Sequence, residues 1–225
     1  MAGVRETFAE IKKALRTPVV AQIGGFRPPE DPCTSWFGRG VHRPDEALPM
    51  FKGQPMFPLL QVRCSELPEV PVALERVALL VVYVNATEIP FDLPPGEGWL
   101  VREYASVEGL VPCPTRAPAG VKPQGIQWSL GKPERPDWEQ ASEMFDLEAF
   151  EDSDSARERF DNLPHHGGTK IGGFPSEVQG LVENADDYLL QIGSEAKANW
   201  AWADNGVATF ARDANGQWTF ACQSL

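Results

Sequence analysis

Apolar residues at Val4, Phe8, Ile11 and Leu15 recur at the spacing of one helical face. They predict an amphipathic helix over residues 4 to 15, ended by Pro18. The period then shortens. Val19 to Ile23 reads as a strand stopped by Gly24-Gly25, and Met56 to Val62 as the next strand. Val77 to Val84 is an unbroken aliphatic run with Tyr83 inside it, the pattern of a strand buried on both faces. Trp99 to Tyr104 and Gly125 to Leu130 fit two further short strands. From Phe26 to Pro58 proline and glycine punctuation predicts mostly ordered loop, and residues 90 to 136 carry nine prolines. Helical spacing returns in residues 134 to 162, where Trp138, Ala141, Phe145 and Ala149 share one face.

Some of these pieces occur twice in the same order. Ile23-Gly24-Gly25-Phe26, then Leu59-Leu60-Gln61-Val62, then Val77 to Val84 parallel Ile171-Gly172-Gly173-Phe174, then Leu189-Leu190-Gln191-Ile192, then Val207 to Ala211. The pattern predicts two related β units that complete one core. Alternation puts the second Leu and the final aliphatic residue on one face, and the first Leu and the Gln on the other. A glutamine beside a core must satisfy its amide, and a loop backbone is the usual partner. Gln61 and Gln191 are therefore expected to pin loops. The expected class is α+β: a β-rich single domain over 1–225 with internal duplication and an N-terminal amphipathic helix. Its parts are a first half (18–133), an acidic helical insertion (134–162) and a second half (163–225).

Composition changes the picture through charge. The 225 residues hold 20 Lys+Arg against 32 Asp+Glu, a net −12. That argues against nucleic acid and against anionic lipid as partners. The segment 134–162 holds eleven of the acids and three arginines, so −8 of the charge is local. It is read either as a solvated helix face, or as a mimic of a polyanion or a surface that steers a basic protein partner. Its acids Glu139, Glu143, Asp146, Glu151, Asp152 and Asp154 are the candidate partner surface. The longest apolar run has strand length, not the ~20 residues of a membrane helix. Arg5, Glu6, Glu10, Lys12 and Lys13 interrupt any signal-like apolar core. Cys33, Cys64, Cys113 and Cys222 lack metal spacing and are expected to be reduced thiols of a cytoplasmic protein. No sequence feature indicates the oligomeric state.

The C-terminal stretch carries the most specific motifs: Lys170-Ile-Gly-Gly-Phe-Pro175, Gln179, Leu189-Leu-Gln-Ile192 and Trp202-Ala-Asp-Asn-Gly206. These resemble the YwqG-like family of domains of unknown function, and Gly24-Gly25, Trp36 and Leu59-Leu60-Gln61 follow in order in the N-terminal half. The resemblance covers roughly residues 15 to 222. It implies a mixed, β-rich fold with an internal duplication and supplies no established reaction. Gly193 and Glu195 stand where that family tends to carry acids, and Ala203 replaces a glycine.

Two short constellations could carry chemistry. His165-His166-Gly167-Gly168 offers imidazoles and a flexible loop, but it has neither the metal-site spacing nor the phosphate-loop spacing, so no metal and no cofactor is expected. In Trp200-Ala-Trp202-Ala-Asp204-Asn205-Gly206, Asn-Gly signals a turn between strands and Asp204 is placed to hold its backbone. Alternation would set both tryptophans on one strand face, as core or as a groove. No activated thiol or nucleophile elbow is present. The leading expectation is a non-catalytic protein-interaction module, in one version an immunity-type or inhibitory protein that covers a basic partner. The alternative is a small-molecule binder or hydrolase built on His165, His166, Gly172, Gly173, Gln191, Trp202 and Asp204.

Overall fold

Where periodicity was strong, the elements form as the pattern requires. A computed structural model describes residues 2–85, 87–91, 93–184 and 188–225. Helix α1 (Ala2–Ala14) leads into β1 (Val19–Ile23). The two-residue strands β2 (Trp36–Phe37), β3 (Val41–His42), β4 (Met50–Phe51) and β5 (Gln54–Pro55) follow within the proline-rich loop. Then come β6 (Phe57–Arg63), β7 (Leu79–Val84), β8 (Trp99–Tyr104), β9 (Val111–Pro112) and β10 (Gln124–Leu130). Helices α2 (Trp138–Met144), α3 (Glu148–Glu151) and α4 (Asp154–Asp161) precede β11 (Lys170–Ile171), β12 (Tyr188–Gly193), β13 (Val207–Arg212) and β14 (Trp218–Gln223).

Ten strands make one sheet in the order β14-β13-β12-β11-β1-β10-β2-β6-β7-β8, each neighbouring pair antiparallel. The fold is mostly β, with few helices. The sheet curls until its two edges nearly meet. There the Trp99 and Phe220 rings stack at 5.4 Å, and Trp218 Nε1 donates to Glu103 Oε1 at 2.8 Å. The interior holds the main apolar cluster, which takes Leu80, Val82 and Val84 from β7. The alternate residues Leu79, Val81 and Tyr83 enter a second cluster outside the sheet, with Val41, Met56, Tyr104 and Leu110. Both faces of β7 are thus covered, which is why its run is unbroken. Each such side chain contributes about 1.5–3 kcal/mol on burial. No helix among the described residues is long and apolar enough to cross a membrane.

The strands around the two glutamines share one geometry. Trp36 pairs with Gln61 and Phe37 with Leu60; Lys170 pairs with Gln191 and Ile171 with Leu190. Both β6 and β12 carry an irregularity just before these residues, between Pro58 and Leu60 and between Tyr188 and Leu190. This β-bulge corrects the expected alternation. It puts Leu59 and Leu189 into the same core cluster as Leu60 and Leu190, leaving the glutamines on the other face. Gly38 N donates to Leu59 O and Gly172 N to Leu189 O. Ser35 Oγ accepts from Arg63 N as Thr169 Oγ1 accepts from Gly193 N. Gly38 is therefore the counterpart of Gly172, and the Gly24-Gly25 pair is not, despite its sequence likeness. Gly24-Gly25 instead ends β1, which lies between β10 and β11 at the centre of the sheet.

Two further expectations change. The acidic segment does not present the single face Trp138-Ala141-Phe145-Ala149. The helix stops at Phe145, whose φ of −138° is extended, and Ala149 is exposed. Leu147, Phe150, Ala156 and Phe160 are buried instead, against Phe8 and Ile11 of α1. Trp200 and Trp202 do not lie on a strand. They sit in the loop between β12 and β13, with ring centroids 5.2 Å apart and edge-on, Trp202 fully buried in the core.

Candidate functional site

Five of the seven residues singled out in the sequence gather around one buried ion pair. Lys170 stands in β11 where Trp36 stands in β2, and its Nζ donates to Glu134 Oε1 at 2.8 Å, both side chains fully buried. Phe174 N also donates to Glu134 Oε1, at 2.7 Å, and His166 N donates to Oε2 at 2.9 Å. One carboxylate thus holds a lysine and two turns. Of the Gly172-Gly173 pair, it is Gly173 that this carboxylate requires. Gly173 has φ +74°, and a Cβ there would run into Glu134 Oε1. Burial pushes the Lys170 amine below its ordinary value, against the pull of Glu134.

A second layer surrounds the pair. Gln191 Oε1 accepts from Ser176 N at 2.7 Å, and its Nε2 donates to Gly167 O and Gly168 O. In the other strand pair Gln61 Oε1 accepts from Val41 N at 2.7 Å, and its Nε2 donates to Pro32 O and Thr34 O. His165 Nδ1 lies 3.1 Å from Arg135 O, and Nε2 lies 2.9 Å from Ser176 Oγ and 3.2 Å from Asp137 Oδ2. A carbonyl only accepts, so Nδ1 carries a proton; in the neutral ring Nε2 then accepts from the Ser176 hydroxyl. Burial, then the Lys170 charge, holds His165 below its usual range. Asp137, at the cap position of α2, does not cap it. Asp137 turns to Arg135 and to Glu177 N, and Glu177 accepts from Glu139 N and Gln140 N in its place. Burial, and then Asp137, raise Glu177 to about 7.

Serine, histidine and aspartate stand together here, yet the arrangement is a brace. Asp137 meets the same imidazole nitrogen as Ser176, whereas a nucleophile-base pair needs the acid on the opposite nitrogen. Ser176 is buried, and its Oγ already accepts from Gln191 Nε2 at 3.1 Å. Neither of the two clefts described below is lined by His165, Asp137 or Ser176. Burial also raises the thiols of Cys33, Cys64 (to about 11) and Cys222 (to about 12), away from reactive thiolate.

Trp202 and Asp204 stand apart from this cluster. Trp202 packs on Trp200 and Phe220 inside the sheet. Asp204 is exposed, and the bond it makes among the described residues is through its backbone, which accepts from Leu225 N at 3.3 Å. The turn is held instead by Ser194 Oγ, which donates to Gly206 O and accepts from Trp202 N.

Sequence reasoning missed Glu134, Asp137, Ser176 and Glu177 as partners in one network. It counted Glu134 and Asp137 with the solvated acids. The usable signal was Lys170, a charge beside Ile171 in a strand whose counterpart is Trp36-Phe37.

A family model, Domain of unknown function (DUF1963), matches residues 37–214. The chain belongs to the DUF1963 family. The DUF1963 match begins at Phe37, within β2, and runs through β13; it omits α1, β1 and β14, although β1 supplies the centre of the sheet. A search of curated proteins finds no match.

On the outside of the DUF1963 domain, Glu139, Glu143, Asp146, Glu151, Asp152 and Asp154 are all exposed, and none is in an ion pair among the described residues. The segment's arginines lie over aromatic rings: Arg157 over Trp138 at 3.5 Å, Arg159 over Phe8 at 4.5 Å and Arg135 over Phe160 at 4.5 Å. Two clefts of about 490 Å³ open on the surface. One lies over the centre of the sheet, beside Gln22, Phe26, Gln127 and Trp128; the other lies beside α2.

Proposed function

We propose that this DUF1963 protein is a protein-interaction module that binds a basic partner protein through the acidic surface of α2 to α4. The observation that carries the reading is the set of six exposed, unpaired carboxylates on that surface, while the arginines beside them are turned onto aromatic rings. Such a field speeds association with a cationic surface and fixes its orientation. An immunity-type or inhibitory role toward a basic protein is the concrete form. The groups near Gly172-Gly173 bond one another and the loop backbones. They serve to hold turns, which weighs against the small-molecule or hydrolase reading there. The matched strand registers support a further part of the proposal, one domain built by internal duplication; the finer likeness to YwqG-like sequences rests on the motifs Lys170–Pro175, Leu189–Ile192 and Trp202–Gly206.

The test is affinity capture from the native cell with the full chain and with a variant neutralised at all six acids (Glu→Gln, Asp→Asn). A basic protein retained by the wild type in low salt, released by salt and lost from the variant is the expected result. Equal recovery by both chains overturns the reading.

A further inference from the structure

The cleft beside α2 combines features that the acidic surface alone does not have. It is lined by Arg16, Gln140, Glu143, Met144, Leu181 and Glu183, with Val182 buried beneath. Gln140 is only 8% exposed, yet its Oε1 is buried without a hydrogen-bond partner. A buried acceptor left unpaired costs ~1–3 kcal/mol, so the α2 wall of the cleft carries a polar group that the fold itself does not satisfy. Met144 and Leu181 are 40% and 47% exposed, so the same cleft offers apolar surface to a neighbour. Glu143 and Glu183 give it two carboxylates from opposite elements. The lining cation, Arg16, is engaged over the Phe174 ring at 4.2 Å.

The wall opposite α2 is fixed in advance. Gln223 Oε1 accepts from Val178 N and Gln179 N, and its Nε2 donates to Gly180 O and Leu181 O. Asn184 Nδ2 donates to Thr209 O and Thr219 Oγ1, and Thr209 Oγ1 donates to Asn184 Oδ1. Side chains of β13 and β14 therefore hold both ends of the 181–183 segment. A preformed wall spares the ordering cost of binding.

We propose that this cleft docks a short extended segment of the basic partner, in which a Lys or Arg is flanked by aliphatic residues. The cationic head sits between Glu143 and Glu183, and the aliphatic neighbours cover Met144 and Leu181. The inference deepens the reading above and rests on it for the sign of the partner's charge.

The test uses the full chain and a fluorescein-labelled Gly-Leu-Lys-Leu-Lys-Leu-Gly peptide, read by anisotropy. Binding in the range of about 10–100 μM is expected. The double variant Glu143→Lys/Glu183→Lys should weaken it more than about tenfold. Replacing leucines by serines in the peptide should cost about fivefold or more. Equal binding of the serine peptide, or full binding by the Glu143/Glu183 variant, overturns the groove. A triple variant at a distance, Glu151→Gln/Asp152→Asn/Asp154→Asn, should stay within about twofold. If that triple variant loses the peptide while the groove variant keeps it, the groove fails and the acidic-surface reading survives. Absence of binding to the wild type at about 1 mM peptide also overturns the groove, and the capture experiment then decides the broader reading separately.

Discussion

Around Gln61 the outer face of the sheet is covered by apolar side chains, and around Gln191 by charge. The strand registers, bulges, backbone-binding hydroxyls and glutamine bonds correspond. At matched positions Trp36 answers to Lys170 and Val81 to Thr209. What differs is the covering chain. The loops bearing β3 and β9 bring Val41, Leu110 and Cys113 against β7. The segment beginning at Glu134 brings a carboxylate, and the cover over β11 becomes an ion-paired network. The same pair of strands thus accepts either chemistry, provided every polar group placed there is satisfied.

The largest test of this contrast is the ion pair. Lys170→Met leaves Glu134 charged and buried, and should cost about 3–5 kcal/mol in denaturant unfolding. At the matched position Trp36→Phe removes an indole N–H that has no acceptor and should cost only about 1 kcal/mol. Similar losses would break the contrast. Next come the glutamines. Gln61→Leu and Gln191→Leu each strip one N–H and two or more acceptors of their partner, and each should cost about 2–4 kcal/mol. Agreement within about 1 kcal/mol would sharpen the equivalence of the two strand pairs; a gap above about 2 kcal/mol would end it.

Smaller effects probe the charged half alone. Glu177 stands at about 7, above the ordinary 4.5 of a glutamate, so the stability it contributes is full below 4.5 and is lost as pH rises through 7. Tm should fall between about pH 5 and about pH 8, and Glu177→Gln should flatten that fall by about 1–3 °C, the screening of a half-exposed group included. Least of all, Ala203 holds a left-handed φ of +46° in the loop between β12 and β13. Ala203→Gly should raise stability by about 0.5–1 kcal/mol, measured by thermal unfolding.

The long strands were legible because burial writes a period into them. β1 and β8 match their expected bounds, and β6, β7 and β10 differ by one or two residues. β2 and β11 were not, since two residues carry no period. Their position is set by Gln61 and Gln191, which lie 25 and 21 residues further along. The need to satisfy an amide inside an apolar run was readable, and both glutamines do pin loops, but which loops they hold was not. The burial of Glu134 was not readable, because its local surroundings are those of a solvated acid and its partner lies 36 residues away. The likeness of the two Ile-Gly-Gly-Phe stretches misled for a related reason. Gly24-Gly25 ends a neighbouring strand, while the true counterpart of Gly172 follows Trp36-Phe37, a pair with no glycine repeat to reveal it.

The closure of the sheet has a mechanical meaning. Its first and last strands in spatial order, β8 and β14, are tied by rings and by Glu103, which receives Trp218 Nε1 and, at 3.3 Å, Arg212 Nη2. The molecule is therefore a ring shut by a latch rather than by a continuous backbone ladder. Opening it requires a few side chains to let go, whereas opening it elsewhere requires tearing rows of main-chain bonds. Breathing motions should concentrate at this seam, with the outward amides of β8 and β14 the first in the sheet to exchange with water. While shut, the latch brings together two strand edges that would otherwise stand as templates for unwanted pairing.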